Sequence, residues 1–88
     1  IYYSWVTVLG WKEKASQFSC EIHATNWETG RSVIFKGGVH SIDEEIRVIS
    51  KSGDYMELSS NVMSTLVRKT EDKLKFVCSA KVFKKAIA

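Results

Sequence analysis

Two cysteines, two histidines and a run of carboxylates are the residues of this chain with obvious capacity for catalysis or metal binding. Cys20 and His23 are close enough in sequence to suggest a thiol nucleophile and its base. Three residues apart on a strand, however, they point to opposite faces, and the pairing is rejected. Structural zinc calls for paired ligands such as Cys-x-x-Cys with histidines close behind. Here Cys20 and Cys78 are far apart, and His23 and His40 belong to different segments. Asp43, Glu44 and Glu45 are consecutive, which scatters them around a helix, where acidic residues in the first turn suit the helix dipole. His40, just ahead of them, reads as a turn residue. No nucleophile elbow, phosphate-binding loop, dinucleotide fingerprint or zinc-protease motif occurs. The expectation is a binding or scaffolding module with no catalytic residue, cofactor or metal.

The chain has 88 residues, 44% hydrophobic and 26% charged, which suits one small globular domain spanning 1–88. The longest apolar stretch, Trp5 to Leu9, is far short of a membrane span, so no membrane association is expected. Ile1 to Leu9 lacks the basic start of a signal peptide, since Lys12 and Lys14 follow it. Two cysteines are few for a secreted domain of this size, and both read as reduced thiols packed as small hydrophobes. The expected location is therefore intracellular, cytoplasmic or nuclear.

Charge is unevenly spread. Residues 1–67 carry six Lys/Arg against eight Asp/Glu, while residues 68–88 carry seven against two. Lys73, Lys75 and Lys81 form a candidate basic patch able to attract phosphates or an anionic partner. The alternative is a solvated, lysine-protected strand face. Aromatic residues interleaved with lysines also suit single-stranded nucleic acid. The RNA-recognition octapeptide is absent, and nucleic acid is not the expected partner.

These residues are positioned by strands. Tyr2 to Leu9 is aromatic and β-branched, with Ser4, Val6 and Val8 on one face and Tyr3, Trp5, Thr7 and Leu9 on the other. Gln17 to Thr25 alternates, directing Phe18, Cys20, Ile22 and Ala24 inward. Asn26 to Gly30 supplies turn chemistry, and Arg31 to Lys36 returns with Val33 and Phe35 inward until Gly37-Gly38 breaks the strand. Ser41 and Glu44 have capping-box spacing, and Ile42, Ile46 and Ile49 follow as one stripe of an amphipathic helix ended by Ser52-Gly53. Asp54 to Leu58 is a short strand with Met56 and Leu58 inward. Ser59-Ser60-Asn61 caps a helical turn carrying Val62, Met63 and Leu66. After a charged turn at Lys69 to Lys73, the last strand, Leu74 to Val82, directs Leu74, Phe76, Cys78, Ala80 and Val82 to one face. The expected core is Phe18, Ile22, Val33, Phe35, Met56, Leu58, Leu74 and Phe76. The class is mainly β and antiparallel, with five strands and one or two short helices. An immunoglobulin domain does not fit, because Trp27 lies in a turn and Phe76 takes the place of the corner tyrosine.

The run Val6-x-Val8-Leu9-Gly10-x-Lys12-x-x-Ala15-x-x-Phe18 resembles the seven-in-absentia family of ubiquitin ligases in its C-terminal TRAF-like domain. The likeness continues through Arg31-x-Val33-x-Phe35-x-Gly37, Ser41-Ile42, Ser52-Gly53-Asp54-x-Met56-x-Leu58 and Leu74-x-Phe76-x-Cys78. It covers nearly the whole chain, and its specificity lies in the series. The resemblance implies an antiparallel β-sandwich that recognises substrate or adaptor peptides and dimerises. The family's RING and zinc-finger residues have no counterpart here, and neither do the strands that open the family's domain. The chain is therefore expected to be a piece of a longer protein, or to complete its fold with strands from elsewhere. Tyr3, Trp5 and Leu9, on the face of the first strand that nothing in the chain is expected to cover, are the candidate partner-binding residues. The expected partner is another protein or a second copy.

Overall fold

The computed structural model describes residues 1–70, 73–75 and 77–85, and the side chains of 1–67 and 77–85. The described residues are β-rich, with nine strand segments and three short helices. Strand β3 (Phe18–Thr25) is the central strand of a three-stranded antiparallel sheet, flanked by β4 (Ser32–Gly38) and β9 (Val77–Lys84). Ile22 stands opposite Phe35 on one side and Ala80 on the other. Cys20, Ile22 and Ala24 are buried, as the alternation of β3 requires. Asn26 organises the β3–β4 turn: its Oδ1 accepts from the backbone N–H groups of Glu28 (3.0 Å) and Thr29 (3.4 Å), and Gly30 takes φ +74°. The same side chain donates through Nδ2 to the Thr65 carbonyl at 3.2 Å, tying the hairpin to the chain beyond it.

The first expected strand divides into β1 (Tyr2–Ser4) and β2 (Thr7–Val8). β1 pairs antiparallel with β6 (Met56–Leu58). β2 pairs with β5 (His40–Ser41) in parallel, which departs from the antiparallel expectation. Its bonds run from the His40 N–H to the Val6 carbonyl (2.9 Å) and from the Ile42 N–H to the Val8 carbonyl (3.0 Å). A one-turn helix, α1 (Lys12–Ala15), buries Ala15. The last expected strand also divides: β8 (Lys73–Lys75) forms a hairpin with β7 (Arg68–Thr70), and β9 joins β3.

The core gathers Cys20, Ile22, Ala24, Val39, Met56, Leu58 and Leu66, with Phe18, Val33, Phe35, Val6 and Val8 packed against it. Of the expected core, Ile22, Met56 and Leu58 are fully buried, and Phe18, Val33 and Phe35 are partly so. The Leu74 side chain and Phe76 lie outside the described residues. Cys20 and Cys78 are both free thiols, but Cys78 is exposed. Its register partner Ala24 is buried, yet Cys78 sits on the outer strand of the sheet, β9, every residue of which is exposed.

Three expectations between Gly37 and Ser52 are corrected. Gly37-Gly38 does not break β4, which runs through Gly38. The glycines instead admit the Asp54 carboxylate, whose Oδ1 accepts from the Gly38 N–H at 3.0 Å, while a Cβ on Gly38 would stand 2.8 Å from Oδ2. Ser41 and Glu44 do make the reciprocal bonds of a capping box, but around a turn. Ser41 Oγ accepts from the Asp43 N–H (3.2 Å), Glu44 Oε1 accepts from the Ser41 N–H (3.2 Å), and the Glu44 N–H donates to the Ser41 carbonyl (3.1 Å). The helix, α2 (Ile46–Ser52), starts after Glu45, with no side-chain cap. Nor do the isoleucines form a buried stripe: Ile49 is 4% exposed, but Ile42 and Ile46 are 55% and 72% exposed. By contrast α3 (Ser60–Leu66) follows its sequence, with Ser59 Oγ accepting from the Val62 N–H and Leu66 buried.

Candidate interaction site

Tyr3 and Trp5 lie on the outward face of the first segment, and Tyr2, Ser4, Val6 and Val8 turn inward. The β1–β6 register sets Tyr3 opposite Glu57 and ends with Ser4 opposite Met56, and Trp5 and Tyr55 are the next residue on each side. The rings of Tyr3 and Tyr55 meet edge to face, with centroids 5.7 Å apart and planes inclined at 68°, an arrangement favoured by the ring quadrupoles. α2 supplies the opposite wall. Tyr3, Trp5, Tyr55, Ile46, Ile49 and Ser50 line a groove of about 340 Å³. Trp5 is 36% exposed and Ile46 far more so, so the groove offers aromatic and aliphatic surface directly to water.

Leu9, expected to share this surface, is 82% exposed and is not among the groove's lining residues. The sequence reading also left out Tyr55 and the α2 wall. Tyr55 was within reach of strand parity: in Asp54–Leu58 the inward Met56 and Leu58 send the odd-numbered residues to the side of Tyr3 and Trp5. The wall was not, because its face follows from how α2 is tethered.

That tether is His40. It is 3% exposed, in β5, and both ring nitrogens are engaged. Nδ1 lies 2.9 Å from Glu44 Oε2, and Nε2 lies 2.7 Å from the backbone carbonyl oxygen of Asp54. His40 is thus a buried strand residue bonded across the fold, which corrects its reading as a simple turn residue. Burial pushes the Glu44 carboxyl up, but hydrogen bonds from His40 and the Ser41 N–H, with the charges of His40 and Lys12, bring it below the usual carboxylate range. Ser41 Oγ donates to the Gly10 carbonyl at 2.5 Å and fastens β5 to the end of the first segment.

The candidate basic residues do not share one sheet. Lys73 and Lys75 lie on β8, in the hairpin with β7, and their side chains are outside the described residues. Lys81 lies on β9, in register with Glu21, and the Glu21 carboxylate accepts from Lys36 at 3.3 Å. That hydrogen bond from Lys36 holds the Glu21 carboxyl below its ordinary range. Among the described residues no three or more His, Cys, Asp or Glu side chains are grouped to hold a metal ion, and no helix is long and apolar enough to cross a membrane. Burial, reinforced by the Asp54 charge and opposed by a hydrogen bond at Gly37, pushes the Cys20 thiol up, which makes it a poor nucleophile. Comparison of the chain with protein-family models, with curated proteins and with solved structures finds no match.

Proposed function

We propose that this chain is a protein-recognition module, a TRAF-like β-sandwich domain of the kind its resemblance to the seven-in-absentia family implies, serving substrate or adaptor recognition in an intracellular ligase or adaptor. The groove between Tyr3, Trp5, Tyr55 and α2 carries the reading. It is concave and mostly apolar, with aromatic rings on one side and the isoleucines of α2 on the other. Such a surface suits a large apolar anchor side chain of a partner, and aromatic residues are where interface energy concentrates.

A random peptide library selected on the immobilised chain tests this reading. The selected peptides should carry a bulky apolar residue, and Trp5→Ala should weaken them by at least about tenfold, the scale of a hot-spot loss. Trp11→Ala, at a tryptophan that is 76% exposed and outside the groove, should leave them unaffected. Equal losses at both tryptophans would contradict the reading. Salt-sensitive binding of single-stranded RNA without peptide binding would transfer the function to the lysines.

A second reading, a dimerisation domain, is favoured by β9. No described strand pairs with its outer edge, and Val77, Val82 and Phe83 are exposed. Antiparallel self-pairing about Ala80 would set Cys78 against Val82 and Val77 against Phe83, with no lysine opposite a lysine. Sedimentation of Val82→Lys beside the unaltered chain separates this reading from a monomeric peptide binder.

A further inference from the structure

Helix α2 is tethered at both ends to one buried side chain. Glu44 stands two residues before it and Asp54 two residues after it, and His40 bonds to both. Both partners are acceptors. A carbonyl oxygen has no proton to give, and an ionised carboxylate has none either. A neutral imidazole carries a single N–H, so it can satisfy one of them while aiming a lone pair at the other. At 2.9 and 2.7 Å the two contacts are satisfied together either by a ring protonated on both nitrogens beside an ionised Glu44 or by a neutral ring that accepts the proton of the Glu44 carboxyl. The low-lying Glu44 carboxyl is consistent with the proton residing on the ring.

We propose that His40 is a proton-operated clasp on the groove: the imidazolium holds α2 against Tyr3 and Trp5, and loss of one ring proton as pH rises frees that wall. The consequence for partner docking rests on the proposed role of the groove, whereas the clasp itself does not. Among the described residues, the charged groups around the ring are Glu44 from the turn, Asp54 from the loop after α2, Lys12 from α1 and Lys85 just beyond β9, which together line an adjoining cavity of about 280 Å³. Asp54 presents its backbone carbonyl to the ring, while its carboxylate accepts from the Gly38 N–H. Glu44 is thus the one carboxylate bonded to the ring, and Lys12 and Lys85 favour release of the proton. The sign follows. The Glu44 contribution is present above the ordinary carboxylate range and is lost only as pH falls through its lowered folded value. On the alkaline side the clasp opens when the ring gives up one of its two protons.

The test uses the full chain with Trp11→Phe and Trp27→Phe, both at exposed positions, so that Trp5 alone reports on the groove. Nitrogen NMR of the His40 ring and Trp5 emission are followed from about pH 6 to about pH 9, the span in which an imidazole changes charge. The expected result is one step shared by both signals, from two ring N–H groups to one, with Trp5 emission moving to the red. Glu44→Gln should abolish the emission step, because the amide can donate to a bare Nδ1 and still accept from the Ser41 N–H. A ring that keeps one protonation state throughout, or an emission step that survives Glu44→Gln, overturns the clasp. If Glu44→Gln does not fold, the ring and emission signals of the Trp5-only chain decide, and steps at different pH values overturn it. Binding of the dye 8-anilinonaphthalene-1-sulfonate, compared with and without Trp5→Ala, separates the two claims. A shared step with unaltered dye binding supports the clasp and counts against the groove reading alone.

Discussion

In the β3–β4 hairpin, Cys20, Ile22 and Ala24 are buried at every second position of one strand, facing Phe35 and Val33 on the next. Between His40 and Asp54 only His40, Ser41 and Ile49 are buried, and two of these are polar. The first region is held by area removed from water, the second by side chains bonded to distant backbone: His40 to the Asp54 carbonyl, Ser41 to the Gly10 carbonyl, Asp54 to the Gly38 N–H. Burial of apolar area is non-directional and tolerant, whereas a bonded polar cluster depends on geometry and on protonation. The groove is built across the second kind of region, so its shape depends on those bonds.

The largest expected effect is in the hairpin. Ile22→Ala should cost roughly 2–5 kcal/mol, as for large-to-small changes at fully buried sites. Chemical denaturation measures it, and a loss under about 1 kcal/mol would remove the contrast. Gly38→Ala should follow at about 1–3 kcal/mol through overpacking against the Asp54 carboxylate. In an Asp54→Ala background the cost should shrink, and a double-mutant cycle reads that coupling directly. Asn26→Ala should cost about 1–2 kcal/mol, because one amide serves both the turn and the Thr65 carbonyl. Ile46→Ala should stay within about 0.5 kcal/mol, since its side chain is largely in water. A cost there as large as at Ile22 would mean that α2 is held by packing after all.

The hairpin was legible because its signals are local. Alternation gave the face of β3, Asn26 and Gly30 gave the turn, and Ser59 gave the start of α3. The outward face of Tyr3 and Trp5 came from the same rule. The segment from Gly37 to Ile49 was misread because local signals there serve distant partners. Paired glycines read as the end of a strand but make room for Asp54 within it, and capping-box spacing closed a turn ahead of the helix. Ile42, Ile46 and Ile49 have helical spacing, yet Ile42 lies before α2 begins and Ile46 sits on its exposed side. His40 carries no local pattern at all. Its role appears only when residues 40, 44 and 54 meet in three dimensions.

Amide hydrogen exchange across the two regions tests the contrast most directly. The amides of Val48 and Ile49 close α2 onto the Glu45 carbonyl, and those of β3 lie in the central sheet. After correction for intrinsic rates, protection at Val48 and Ile49 should fall by about tenfold or more from about pH 6 to about pH 9, as expected for loss of a charge-assisted hydrogen bond. Protection at Ile22 should stay constant over the same interval. Equal loss in both regions, or none in α2, would contradict the account.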